Sequence, residues 1–133
     1  MDAEGTLSSS LLETACSLID YSQNHYFWTT PFEFPLMEKV SVHLYEDLCK
    51  ADIIFFKGDL NYRKLVSDMR WNYTTPFKTA LRGFLPTSLV SLRTIKFNPL
   101  CDLDPQQAER FEKVDASEKH SGIYALISFY RAN

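Results

Sequence analysis

Ile53-Ile54-Phe55-Phe56-Lys57-Gly58-Asp59-Leu60-Asn61-Tyr62-Arg63 passes from an unbroken apolar run, through a glycine, into polar residues. Four consecutive apolar positions without alternation, set between helical segments, predict a buried strand of a parallel sheet covered on both faces. On the amino side, Ser41 caps a short predicted helix in which Val42, Tyr45, Leu48 and Cys49 share a face. Before it, two prolines among the aromatics of 26–35 forbid regular helix and predict a packed loop. Leu11, Leu12, Ala15, Cys16, Leu18 and Ile19 recur at helical spacing behind a Ser10/Glu13 capping box, which predicts a first helix near 10–22. On the carboxyl side, Thr75-Pro76 opens a helix with Thr75 as its cap, and Gly83 closes it. Residues 88–96 read as a second strand, Asp104-Pro105 starts a polar helix toward Val114, and 123–130 read as a last strand. This order predicts an α/β fold with a mainly parallel sheet.

The composition agrees. The chain has 133 residues, 45% of them hydrophobic, enough for one core. No run approaches the roughly 20 apolar residues that cross a bilayer, and the acidic, serine-rich amino terminus is unlike a signal peptide. The expectation is a soluble protein of the cytoplasm or nucleus. Cys16, Cys49 and Cys101 are odd in number and far apart, so no disulfide framework or CxxC pair is available. His25, His43 and His120 lack metal-ligand spacing.

A net charge of −3 argues against a general nucleic-acid binder. The average conceals a basic segment: between Lys57 and Lys96 stand eight basic residues and two acidic ones. Such a segment either holds an anion or is a solvated face. In open α/β sheets ligands bind beyond the carboxyl ends of strands, where Lys57-Gly58-Asp59 falls. Gly58 allows a sharp turn, Asp59 and Asn61 can bond sugar hydroxyls, and Arg63 can fork onto phosphate oxygens. The competing account is an ordinary ion pair between Asp59 and Arg63, four apart on a helix. At the end of the second strand, alternation places Thr94 and Lys96 on one side and Arg93 and Ile95 on the other. If the two strands are parallel neighbours, Lys96 ends near the same edge as Asp59.

The motifs Gly58-Asp59-Leu60-Asn61-Tyr62-Arg63 and Arg93-Thr94-Ile95-Lys96 resemble the Gly-Asp-Leu-Asn-Tyr-Arg and Arg-Thr-x-Lys signatures of damage-control phosphatases, subfamily III. This is the sugar-phosphate phosphatase family that includes the acidic residue methyltransferase. The resemblance spans 26–97, with a weaker echo at 122–127; 1–25 and 98–121 show no match to the motifs. The domain expectation is therefore a separate amino-terminal helix in 1–25 and a carboxyl-terminal family portion in 26–133. The resemblance implies a three-layer α/β/α fold, present here as a partial domain, and divalent-metal-dependent hydrolysis of sugar phosphates such as fructose phosphates, with manganese or magnesium as the ion. It implies substrate contacts at Asp59, Leu60, Asn61, Tyr62, Arg63 and Lys96. The family's metal ligands are an Asp-Asn pair and a further Asp upstream of the matching part, and this sequence has no Asp-Asn dipeptide. The expectation is a fragment that binds substrate, holds no metal and is inactive by itself. Two other readings are a non-catalytic binding remnant and a fragment of an S-adenosylmethionine-dependent protein-glutamate methyltransferase. No glycine-rich nucleotide loop supports the latter.

Overall fold

The computed structural model describes residues 30–132, together with Glu13. The predicted helix near 10–22, apart from Glu13, and residues 26–29 of the aromatic loop lie outside the described residues. After a 3-10 turn at Phe34–Leu36 the elements are α1 (Met37–Val40), α2 (Val42–Leu48), β1 (Ile53–Lys57), α3 (Asp59–Leu65), α4 (Phe77–Ala80), β2 (Ser88–Thr94), α5 (Pro105–Glu112), α6 (Ala116–Lys119) and β3 (Ala125–Tyr130).

The three strands lie in the order β1-β2-β3. β1 and β2 are parallel, with Ile54 opposite Leu89 and Phe56 opposite Ser91. β3 is antiparallel to β2, with Ser128 opposite Ser91 and Leu126 opposite Arg93. The fold is thus α/β with a mixed sheet, a partial α/β domain. The predicted parallel neighbours are present, and β2 is central.

The expectation of covering on both faces needs correction. Among the described residues β1 is an edge strand, and only one face of the sheet carries helices. On that inner face Ile54, Leu89, Ser91, Arg93 and Ser128 are buried. On the outer face Phe55 is 62% exposed and Ile127 71% exposed, with Ile53 and Phe129 also open. The strand sequence was composed for burial on both sides, and the described helices supply one side. No helix among the described residues is long and apolar enough to cross a membrane.

The inner layer is an aromatic and leucine core. Phe34 lies 5.0 Å from Phe56 and 5.6 Å from Phe84, and Tyr62 stacks on Phe77 at 6.4 Å. Tyr62, Leu65, Val66, Leu81 and Leu89 are fully buried around them; each buried apolar side chain of this size contributes about 1.5–3 kcal/mol. A smaller cluster of Ile95, Leu100 and Phe111 packs with Tyr73 and Tyr124 under α5.

Capping explains where the later helices start. Asp104 accepts from the amides of Gln106 and Gln107 at 2.9 Å, and Gln107 returns the bond, completing a capping box ahead of Pro105. α4 behaves otherwise. It begins at Phe77 with Pro76 in the cap position, and the Phe77 amide donates to Asp102 Oδ1 at 3.1 Å. The cap comes from 25 residues downstream, not from Thr75. Ser41 occupies the cap position of α2 without a side-chain bond.

Candidate functional site

The site grows from the end of β1. Gly58 continues the ladder by donating its amide to Leu92 O at 2.8 Å, then turns with φ of 101° into α3. A Cβ there would meet nothing within 4 Å, so the backbone angle and not crowding favours glycine. The turn sets Asp59 at the start of α3, at the carboxyl edge of the parallel pair.

Asp59 and Arg63 do not form the i, i+4 pair. Each takes a partner from elsewhere. Arg93 Nη2 lies 2.6 Å from Asp59 Oδ1, with the arginine side chain 0% exposed and the aspartate 18%. The same guanidinium donates from Nη1 to Pro99 O and from Nη2 to Phe97 O, both at 2.7 Å. Its plane stands over the Tyr62 ring, 4.3 Å from the centroid. Asp59 Oδ1 is buried and has no aligned hydrogen-bond donor, so its contact with Arg93 is a close ion pair, not a directed bond. Burial lowers the Arg93 pKa and the Asp59 carboxylate acts against that shift. The guanidinium stays charged.

Arg63 is held by Asp68, its Nε donating to Oδ1 at 2.8 Å and Nη2 to Oδ2. Its guanidinium also covers the Phe97 ring at 5.4 Å. Lys96, the residue before Phe97, is exposed beyond the end of β2, with Cε 3.7 Å from where a Cβ on Gly122 would stand. Asn61 donates to Lys57 O at 2.9 Å. Leu60 is exposed. Tyr62 faces the core: its hydroxyl lies 3.1 Å from Cys101 Sγ and accepts from the Cys101 amide at 3.1 Å. The structure therefore brings the two motifs together through Arg93 and Phe97. It sets Arg63 beside the segment that carries Lys96, and it places Tyr62 beneath the site. Beside Gly58 a shallow groove of about 370 Å³ runs over the outer face, lined by Leu92, Thr94, Ala125 and Ile127 among others.

Arg93 is the residue that sequence reasoning left without a role. Its signal was available: alternation turns it toward the covered face of a central strand, and a buried charge requires a partner.

The described residues do not by themselves fit the metal that the resemblance implies. Asp59 Oδ1 already faces a guanidinium that competes with any cation for it. No group of three or more His, Cys, Asp or Glu side chains among the described residues could hold a metal ion.

Two motifs converging at the carboxyl edge of a parallel strand pair define a class, and comparison with known proteins gives the same class. The chain belongs to the damage-control phosphatase ARMT1-like family, whose domain matches residues 2–111. That span includes residues ahead of 26 and beyond 97, where the motifs alone give no resemblance. Among curated proteins, the damage-control phosphatase ARMT1 of Bos taurus is 45% identical over 106 residues, covering 80% of this chain and 24% of the relative. The proteins of the same name from Danio rerio and Homo sapiens are 44% and 42% identical over the same length and with the same coverage. The chain thus spans about a quarter of the length of these relatives.

Proposed function

We propose that this chain is the substrate-binding portion of a metal-dependent phosphatase acting on sugar phosphates of the fructose phosphate type, and that it does not hydrolyse them alone. The observation that carries the reading is Asp59, set at the carboxyl edge of β1 with one oxygen tied to a buried arginine of the neighbouring parallel strand. Phosphatase membership supports the reaction class.

In this reading Asp59 and Asn61 bond the sugar hydroxyls, and Leu60 borders them. Tyr62 supports the motif from beneath. Arg63 and Lys96 neutralise the phosphate. Arg63 exchanges its partly exposed Asp68 partner for the phosphate, trading one charge-assisted pair for another. Manganese or magnesium would supply Lewis-acid chemistry to the reaction, but the described residues offer it no ligand set. Its ligands would be the family's Asp-Asn pair and further Asp. The partner is a small sugar phosphate, not nucleic acid or membrane, and the setting is the cytoplasm or nucleus.

Titration calorimetry on the 133-residue chain tests the binding half of this reading. Fructose monophosphate should bind and unphosphorylated fructose should not. Arg63→Ala and Lys96→Ala should each weaken binding about tenfold, as expected for loss of one charged hydrogen bond. Equal affinity for fructose and its phosphate would overturn the reading.

A further inference from the structure

We infer that Arg93 is the positioning residue of this site: it orients the Asp59 carboxylate toward sugar hydroxyls without touching the substrate itself. The inference rests on the sugar-phosphate reading above and adds a residue to which that reading gives no part.

Four contacts fix the Arg93 guanidinium. Two backbone carbonyls, Phe97 O and Pro99 O, take hydrogen bonds at 2.7 Å. The Tyr62 ring lies against its face at 4.3 Å, and Asp59 Oδ1 is 2.6 Å away. The side chain has no exposed surface, which leaves it no direct route to a ligand. Such an arrangement is rigid, because a planar group bonded at its edge and stacked on its face has no alternative rotamer with the same partners.

Rigidity is transmitted to Asp59 selectively. Oδ1 is buried and turned inward, yet it has no aligned donor of its own. The ion pair alone holds it there. With Oδ1 drawn to Arg93, Oδ2 is the oxygen left to accept from a sugar hydroxyl. The pair also offsets the Asp59 charge, which would otherwise repel a phosphate carried by the same substrate. A lysine in place of Arg93 keeps the charge but cannot reach Asp59, Phe97 O and Pro99 O at once while stacking on Tyr62. The carboxylate would then lose its fixed direction although the strand remains.

The test compares two ligands by calorimetry, fructose monophosphate and inorganic phosphate, with urea unfolding of every variant recorded alongside. Arg93→Lys should weaken fructose monophosphate about tenfold and change inorganic phosphate less than about twofold, because Asp59 reads the sugar and not the phosphate. Asp59→Asn should give the same pattern, and the double variant should bind no worse than Asp59→Asn alone. Equal weakening of both ligands by Arg93→Lys would overturn the proposal in favour of a general structural role. Unchanged affinity for fructose monophosphate would also overturn it while leaving the functional reading intact. If the unsubstituted chain binds neither ligand, the functional reading falls and the positioning role falls with it.

Discussion

Asp59 and Arg63 stand four residues apart on one helix, the spacing at which opposite charges ordinarily meet, yet each is claimed by a residue that short-range sequence does not pair with it. Burial decides the first case. Arg93 is sealed under the sheet, and an unpaired guanidinium there would cost several kcal/mol, so the nearest carboxylate is taken. Geometry decides the second, since Arg63 meets Asp68 with two nitrogens on two oxygens across the helix end. Arg63 holds the Asp68 carboxyl below the usual range. A lowered pKa stabilises the fold above the unfolded carboxylate value near about 4 and loses that contribution as pH falls through the native value. The expected outcome is that Asp68→Asn lowers stability slightly at neutral pH and not at all in strong acid, read from urea midpoints across pH; Asp68 is exposed, so solvent screening keeps the effect small. Cys101 gives a second check at this scale. Burial pushes its thiol up to about 11, whereas Cys49 is exposed. Peptide-resolved alkylation at neutral pH should label Cys49 and spare Cys101 until urea unfolds the chain; early labelling of Cys101 would mean its packing against Tyr62 is wrong.

Among the elements, β1, β2, α3 and α5 were legible because each carries its own local signal: an apolar run, a glycine turn, or a cap followed by proline. The extent of the strands was read slightly long, since β2 ends at Thr94 and β3 begins at Ala125. What escaped was whatever depends on a distant partner. The cap of α4 is Asp102, brought in by tertiary structure, and no pattern around Thr75-Pro76 announces it. The antiparallel direction of β3 was equally silent, because strand propensity is blind to direction. The short helices α1 and α6, four residues each, have no periodicity to detect. The capping box of α5 supplies the prediction for this scale. Asp104→Ala removes the acceptor for two amides at once and should cost about 1 kcal/mol in urea unfolding. Loss of well under half that amount would show that tertiary contacts of Phe111 hold the helix start without the cap.

For the molecule as a whole, the exposed sheet face and the proposed substrate-binding role belong to one account. The sequence composes β1 and β3 for burial on two sides, and the described residues cover one of them. An apolar face of Ile53, Phe55, Ile127 and Phe129 in water promotes self-association. Replacing Phe55 and Ile127 with lysine should reduce dye binding to apolar surface and shift light-scattering mass toward the monomer. The unfolding free energy should stay within about 0.5 kcal/mol, as for other surface changes. Unfolding of the double variant would mean that this face is packed. In the proposed reading the site shows the same one-sidedness: the side chains assigned to the sugar phosphate stand at the strand edge, while the acidic one is engaged by Arg93. Half of this was legible from the two motifs, which named Asp59, Asn61, Arg63 and Lys96. The clamp that joins the motifs was not, because it depends on which strand lies beside which. The most direct test of the central claim is phosphate release from fructose monophosphate by the purified 133-residue chain with manganese or magnesium supplied. The account predicts no release above the protein-free control; turnover abolished both by a chelator and by Asp59→Ala would contradict it.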